Sequence, residues 1–143
     1  MKTQELVDME RMAALLAHVQ PISFGTIWWV PERVWTEHAR RYDINSERMA
    51  HPGVATNERR LPQSLDPVPM LHGTSHREFD AVKIDQVSSG HASYVGHLPP
   101  CGIPFRHWRS KDPDAVKLNE SKPSMSDAEK SALKIFLQKK GWL

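Results

Sequence analysis

Proline and glycine interrupt the middle of this chain so often that only short strands fit between the breaks. The chain has 11 prolines and 7 glycines in 143 residues. The runs between them are rich in β-branched and aromatic residues, which suit a pleated, buried surface. Residues 25–30 (GTIWWV) form one such run, closed by Pro31. Residues 52–57 (PGVATN) and 68–71 (VPML) read as two more strands, separated by the turn-rich ERRLPQSLDP. Residues 81–87 (AVKIDQV) alternate, which sets Val82, Ile84 and Gln86 on one face and Lys83 and Asp85 on the other. Ser88-Ser89-Gly90 is a turn, and residues 92–98 (ASYVGHL) supply the hairpin partner. Breaks between Pro99 and Pro104 precede a last short strand at 105–108. Of the neighbours Trp28 and Trp29, one is expected inside and one outside, because adjacent strand residues face opposite ways.

Helices are expected at the ends. Leu6, Met9, Ala13 and Leu16 recur at spacings of three and four, with Thr3 as a cap and Pro21 as the stop. Near the other end, Ser126-Asp127-Ala128-Glu129 forms a capping box: the serine hydroxyl accepts from the Glu129 amide while the glutamate reaches back. Ala128, Ala132, Ile135 and Phe136 are its expected buried face. Lys139 and Lys140 suit the negative C-terminal end, and Gly141 the stop. Residues 31–50 form a long charged connection with room for a short helix near 36–41, and 110–124 a polar surface connection. The reading is a single mainly β domain over 1–143: an N-terminal helix to 20, a barrel over 24–109, a connection over 110–125 and a helix over 126–140. A chain of this length buries roughly two thirds of its unfolded surface, enough for a core without staples.

Composition narrows the partners. The lone Cys101 cannot form an internal disulfide, and the chain opens with no signal-like segment, so a reduced, cytoplasmic protein is expected. No apolar stretch approaches the ~20 residues of a membrane span. A net charge of +2 does not announce a nucleic-acid binder. One strip, 101–111, carries Arg106, His107, Arg109 and Lys111 with no acid. It reads either as a phosphate-facing strip or as a solvated edge protected by its charge.

Four features fall in a telling order: GTIWWV at 25–30, HPGV at 51–54, VPMLHGTS at 68–75, and the capped C-terminal helix. In that order the chain resembles the MazF/PemK-like toxin family over roughly residues 24–143. Its members open with a Gly-x-Ile-aromatic strand, continue with an Arg-Pro-valine strand, and then have a strand ending in Thr-Ser. The resemblance implies a twisted, SH3-like barrel working as a homodimer and neutralised by an antitoxin protein. It also implies a metal-independent endoribonuclease without cofactors, in which a ribose 2′-oxygen attacks the neighbouring phosphate of single-stranded RNA. That step needs a base, an acid and donors for the charge on phosphorus. The family match puts His51 and the hydroxyls Thr74 and Ser75 at the catalytic positions, with Arg48 a candidate for the missing charge. Arg77, His72, His76, Arg40, Arg41 and Arg106 are the candidate RNA contacts.

Two departures cut against the match. His51 stands where the family has arginine; it can move a proton but stabilises phosphorane charge less well when neutral. Thr26 stands where the family places an acid. A non-catalytic binding module that docks onto a protein partner is therefore a second reading, and a docking role for the N-terminal helix a third. His72-Gly73-Thr74-Ser75-His76-Arg77 is either an anion site or a tight surface turn whose hydroxyls bond their own backbone. His51 is either catalytic or a strand-end histidine satisfied by a carbonyl. His91, His97, Cys101 and His107 lack zinc-ligand spacing, and Cys101 lacks a nucleophile signature. Trp28, Trp29 and Trp35 read as core or contact residues before base-stacking ones.

Overall fold

The computed structural model describes residues 3–5, 8, 22–38, 50–57, 67–75, 81–88, 90–109 and 115–142. Seven strands and three helices have both ends among the described residues. They are β1 (Ile27–Pro31), α1 (Glu32–His38), β2 (Ala50–Ala55), β3 (Val68–Thr74), β4 (Val82–Ser88), β5 (His91–Val95), β6 (Cys101–Ile103), α2 (Arg106–Arg109), β7 (Lys117–Leu118) and α3 (Asp127–Lys140). Every named strand pair is antiparallel. The sheet runs β4-β5-β3-β2-β1-β7, with β6 also on β3, and curls strongly into an open half-barrel. The expected mainly β architecture with a C-terminal helix is thus present. At the N-terminus Gln4, Glu5 and Asp8 are helical, and the Gln4 amide donates to Asp8 over one turn (3.1 Å). Leu6, Met9, Ala13 and Leu16 lie outside the described residues.

Both faces of the central strands are buried, so β2 and β3 read as nearly continuous apolar runs rather than alternating ones. On one face Trp28, Val30, Trp35, Met70, Ile103 and Phe105 form a core beneath α1 and α2. On the other, Ile27, Val54, Leu71, Ile84, Leu133 and Leu137 form a second core beneath α3. The Trp28–Trp29 pair divides as expected: Trp28 is buried in the first core and Trp29 packs half-buried on the second.

Four expectations need correction. The short helix begins at Glu32, directly after Pro31, instead of near residue 36. Val34 and Trp35 anchor it in the core, so burial and not the local charge pattern sets its position. In β4, Gln86 adopts φ +55° within a bulge between Ile84 and Ser88, and Val87 turns inward where Gln86 was expected. Residues 105–108 form no strand. After Pro104 the His107 and Trp108 amides donate to the carbonyls of Pro104 and Phe105, making the single turn α2. On α3 the buried pair is Leu133 and Leu137, while Ala128, Ala132 and Ile135 are exposed and Phe136 is half-buried. Two stripes compete on that helix, and the leucines bring more apolar area to the sheet than the alanines do.

The caps of α3 are as the sequence implies. Ser126 accepts from the Glu129 amide (3.1 Å), Glu129 accepts from the Ser126 amide (2.9 Å), and Gly141 sits at φ 72°. Glu129 also accepts from the Asp85 amide (2.8 Å) and pairs with Lys122 (2.7 Å), which ties the helix start to β4.

Candidate functional site

Three imidazoles meet on the α1 side of the sheet. His51 comes from β2 and His72 from β3, with ring centroids 4.8 Å apart; His97 follows β5 and lies 5.3 Å from His72. Trp35 of α1 closes the group edge-on to His72 at 5.0 Å. The β2–β3 register pairs Gly53 with His72, and Thr74, two residues on along β3, has its side chain on the same face as His72. Gly73 allows the close approach of β3 to β2: a Cβ there would come within 3.0 Å of the Pro52 carbonyl oxygen.

His97 reaches the group through a turn. If the β3–β5 ladder simply continued, His97 would fall opposite Leu71 and face the other core. Gly96 breaks the pleat with φ +108°, and Phe136 leaves no room for a side chain at that position, since a Cβ would meet its ring at 2.5 Å.

The environment differentiates the three rings. His72 is buried, and burial, followed by the neighbouring His51 and His97, pushes its pKa down to about 3. It is therefore neutral near pH 7. Residues 72–74 are paired strand, so the tight turn offered as one reading of this segment does not begin at His72. His51 and His97 are half-buried as residues, with His51 Nε2 and His97 Nδ1 turned inside. Thr74 is half-buried and Ser75, the next residue, is exposed. Arg40, Arg41, Arg48, His76 and Arg77 lie outside the described residues.

Thr26 is committed to structure. Its hydroxyl accepts from the Trp28 indole (2.8 Å) and donates to the Ser23 carbonyl (2.8 Å), and the residue is buried. Arg106 is exposed on α2 and pairs with Glu37 of α1 (3.1 Å) instead of joining the imidazole group. Beside that pair stands a second histidine contact, His38 Nε2 to His107 Nε2 at 2.8 Å. The Cys101 thiol is half-buried, and burial pushes its pKa up, away from the thiolate a nucleophile needs.

Sequence reasoning selected His51, His72 and Thr74 but did not bring in His97, Trp35 or His38. Of these, only His97 stands at a marked position, directly after a glycine at the end of a strand, and that mark does not tell which way its side chain turns. Among the described residues, no helix is long and apolar enough to cross a membrane. No family model, curated protein or solved structure matches the chain.

Proposed function

We propose that the protein is a metal-independent endoribonuclease acting on single-stranded RNA, in keeping with its resemblance to the MazF/PemK-like toxins. The observation that carries the reading is the convergence of two half-buried imidazoles, His51 and His97, around a neutral buried one, with Thr74 two residues beyond His72 on β3. In the reaction His51 takes the proton of a ribose 2′-hydroxyl. The 2′-oxygen then bonds to the adjacent phosphorus while the bond from phosphorus to the 5′-oxygen breaks. His97 protonates that leaving oxygen, so the products are a 2′,3′-cyclic phosphate and a 5′-hydroxyl end. Thr74 and Ser75 donate to the phosphoryl oxygens, Arg48 and Arg77 supply positive charge, and His76, Arg40, Arg41 and Arg106 track the strand. His72 is a positioning residue that holds the two outer rings apart. A homodimer, a neutralising antitoxin protein and a cytoplasmic setting belong to the same proposal.

The test is incubation of the purified full chain with single-stranded RNA in EDTA. Cleavage is expected to leave cyclic phosphate ends and to fall by about 100-fold or more in His51→Ala and His97→Ala. Intact RNA with a folded protein overturns the reading. Thr26 favours the alternative, a non-catalytic binding module, because its hydroxyl is spent inside the core. Capture of one stoichiometric protein partner, unchanged by His51→Ala, would select that alternative.

A further inference from the structure

We infer that Glu37, His38 and His107 form a binding site for a divalent transition-metal ion of the Zn2+ class, separate from the His51–His72–His97 group. The ligand atoms of these three residues lie within 4.8 Å of one another. Two imidazole nitrogens and one carboxylate oxygen make a donor set suited to an ion of borderline softness.

The backbone fixes both rings in advance. His38 ends α1, whose Val34 and Trp35 are fully buried. His107 is itself buried: its amide donates to the Pro104 carbonyl (3.2 Å), and its carbonyl accepts from the Val116 amide (3.0 Å). Their Nε2 atoms point at each other across 2.8 Å, with Glu37 Oε1 3.7 Å from His38 Nε2. Donors held about 2.0–2.1 Å from a zinc ion are separated by about 2.9 Å at a right angle and about 3.4 Å at the tetrahedral angle. The rings need to part by only a fraction of an ångström to admit an ion.

Without an ion one ring donates its Nε2 proton to the other. For both Nε2 atoms to ligate, the donor ring moves its proton to Nδ1, so no net proton is released. Burial, the largest influence on each ring, keeps both below the usual histidine pKa and leaves them neutral donors near pH 7. Arg106 opposes the ion: its guanidinium holds Glu37 Oε1 at 3.1 Å and must swing outward or share the carboxylate. Because Arg106 is exposed, it has solvent to move into. Water completes the coordination. The bound ion would clip α1 to α2 and thereby steady Trp35 against His72.

The test is calorimetric titration of the untagged full chain with ZnCl2, paired with thermal unfolding at each zinc concentration. One equivalent of Zn2+ should bind and raise the melting temperature. His38→Ala and Glu37→Gln, both at solvent-accessible positions, should weaken binding by at least about 10-fold, since even outer-sphere changes act on that scale. His51→Ala should not weaken it, and Arg106→Gln should strengthen it by removing a competing cation. His107→Gln should also lose the ion, with circular dichroism confirming that the variant is folded. Absence of binding in the wild type overturns the inference. So does binding that survives His38→Ala but is lost in His51→Ala, which would place the ion in the other imidazole group. Because the RNA assay runs in EDTA, its outcome is independent of this one.

Discussion

His72 makes stability depend on pH in a way that can be isolated. In the unfolded chain it takes up a proton below its ordinary value of 6.5, whereas in the folded protein it stays neutral down to about 3. Between those values the unfolded state binds more protons, so acid favours unfolding and the stabilisation present near pH 7 is lost as pH falls. Integrating this linkage from about pH 7.5 to about pH 5 gives a loss of about 2 kcal/mol from this residue alone. For a chain of this size that corresponds to a fall of about 4–8 °C in Tm. His38 and His107 are depressed in the same direction and add to the wild-type slope, whereas the Glu129 contribution is lost only below 4.5. The informative quantity is therefore the difference between wild type and His72→Phe, which keeps a planar ring but cannot titrate. Urea unfolding followed by tryptophan fluorescence at the two pH values supplies it. The Phe variant should lose about 2 kcal/mol less than wild type on acidification, whatever its stability at pH 7.5. An identical loss in both proteins, or an NMR titration of His72 near 6.5, would refute the reasoning.

Two further outcomes follow from the packing. Gly96→Ala forces a Cβ to 2.5 Å from the Phe136 ring at φ +108°; we expect a loss of about 2–4 kcal/mol, and a change under about 0.5 kcal/mol in denaturant unfolding would contradict it. Glu129→Gln removes the carboxylate that Lys122 and the Ser126 and Asp85 amides share. Burial alone would raise the pKa of Glu129, but those partners outweigh it and hold the pKa below 4.5. Its contribution, about 1–2 kcal/mol near neutrality, is present above 4.5 and fades as pH falls through the lowered folded value. The gap between variant and wild type should narrow in acid; a gap independent of pH from about 6 to about 3 would exclude the carboxylate as its source.

The elements that could be read in the sequence were those whose signals are local. GTIWWV required a strand because its β-branched and aromatic run stops at Pro31, and the Ser126 box with Gly141 bounded α3 at both ends. The faces were harder. A bulge at Gln86 displaces the alternation by one residue, and two stripes on α3 fit the same period, so only the packed sheet decides between Leu133 and Ala132. The site was legible in part for the same reason. His51, His72 and Thr74 lie on adjacent strands whose order could be guessed, whereas His97 arrives through the turn at Gly96, and no spacing rule anticipates a left-handed glycine that redirects a side chain.

That distinction bears on how the two histidine groups relate. His38 and Trp35 are three residues apart on α1, close to one helical turn, so they share a side of that helix. One meets His107 and the other meets His72. Any event that shifts α1 relative to α2, ion binding included, must therefore alter the support that Trp35 gives His72, and through it the spacing of His51 and His97. Zn2+ is accordingly expected to slow exchange at the His72 and Trp35 amides in wild type and not in His38→Ala, as read by hydrogen exchange. Protection in wild type confined to α2 would show that the two groups are mechanically independent.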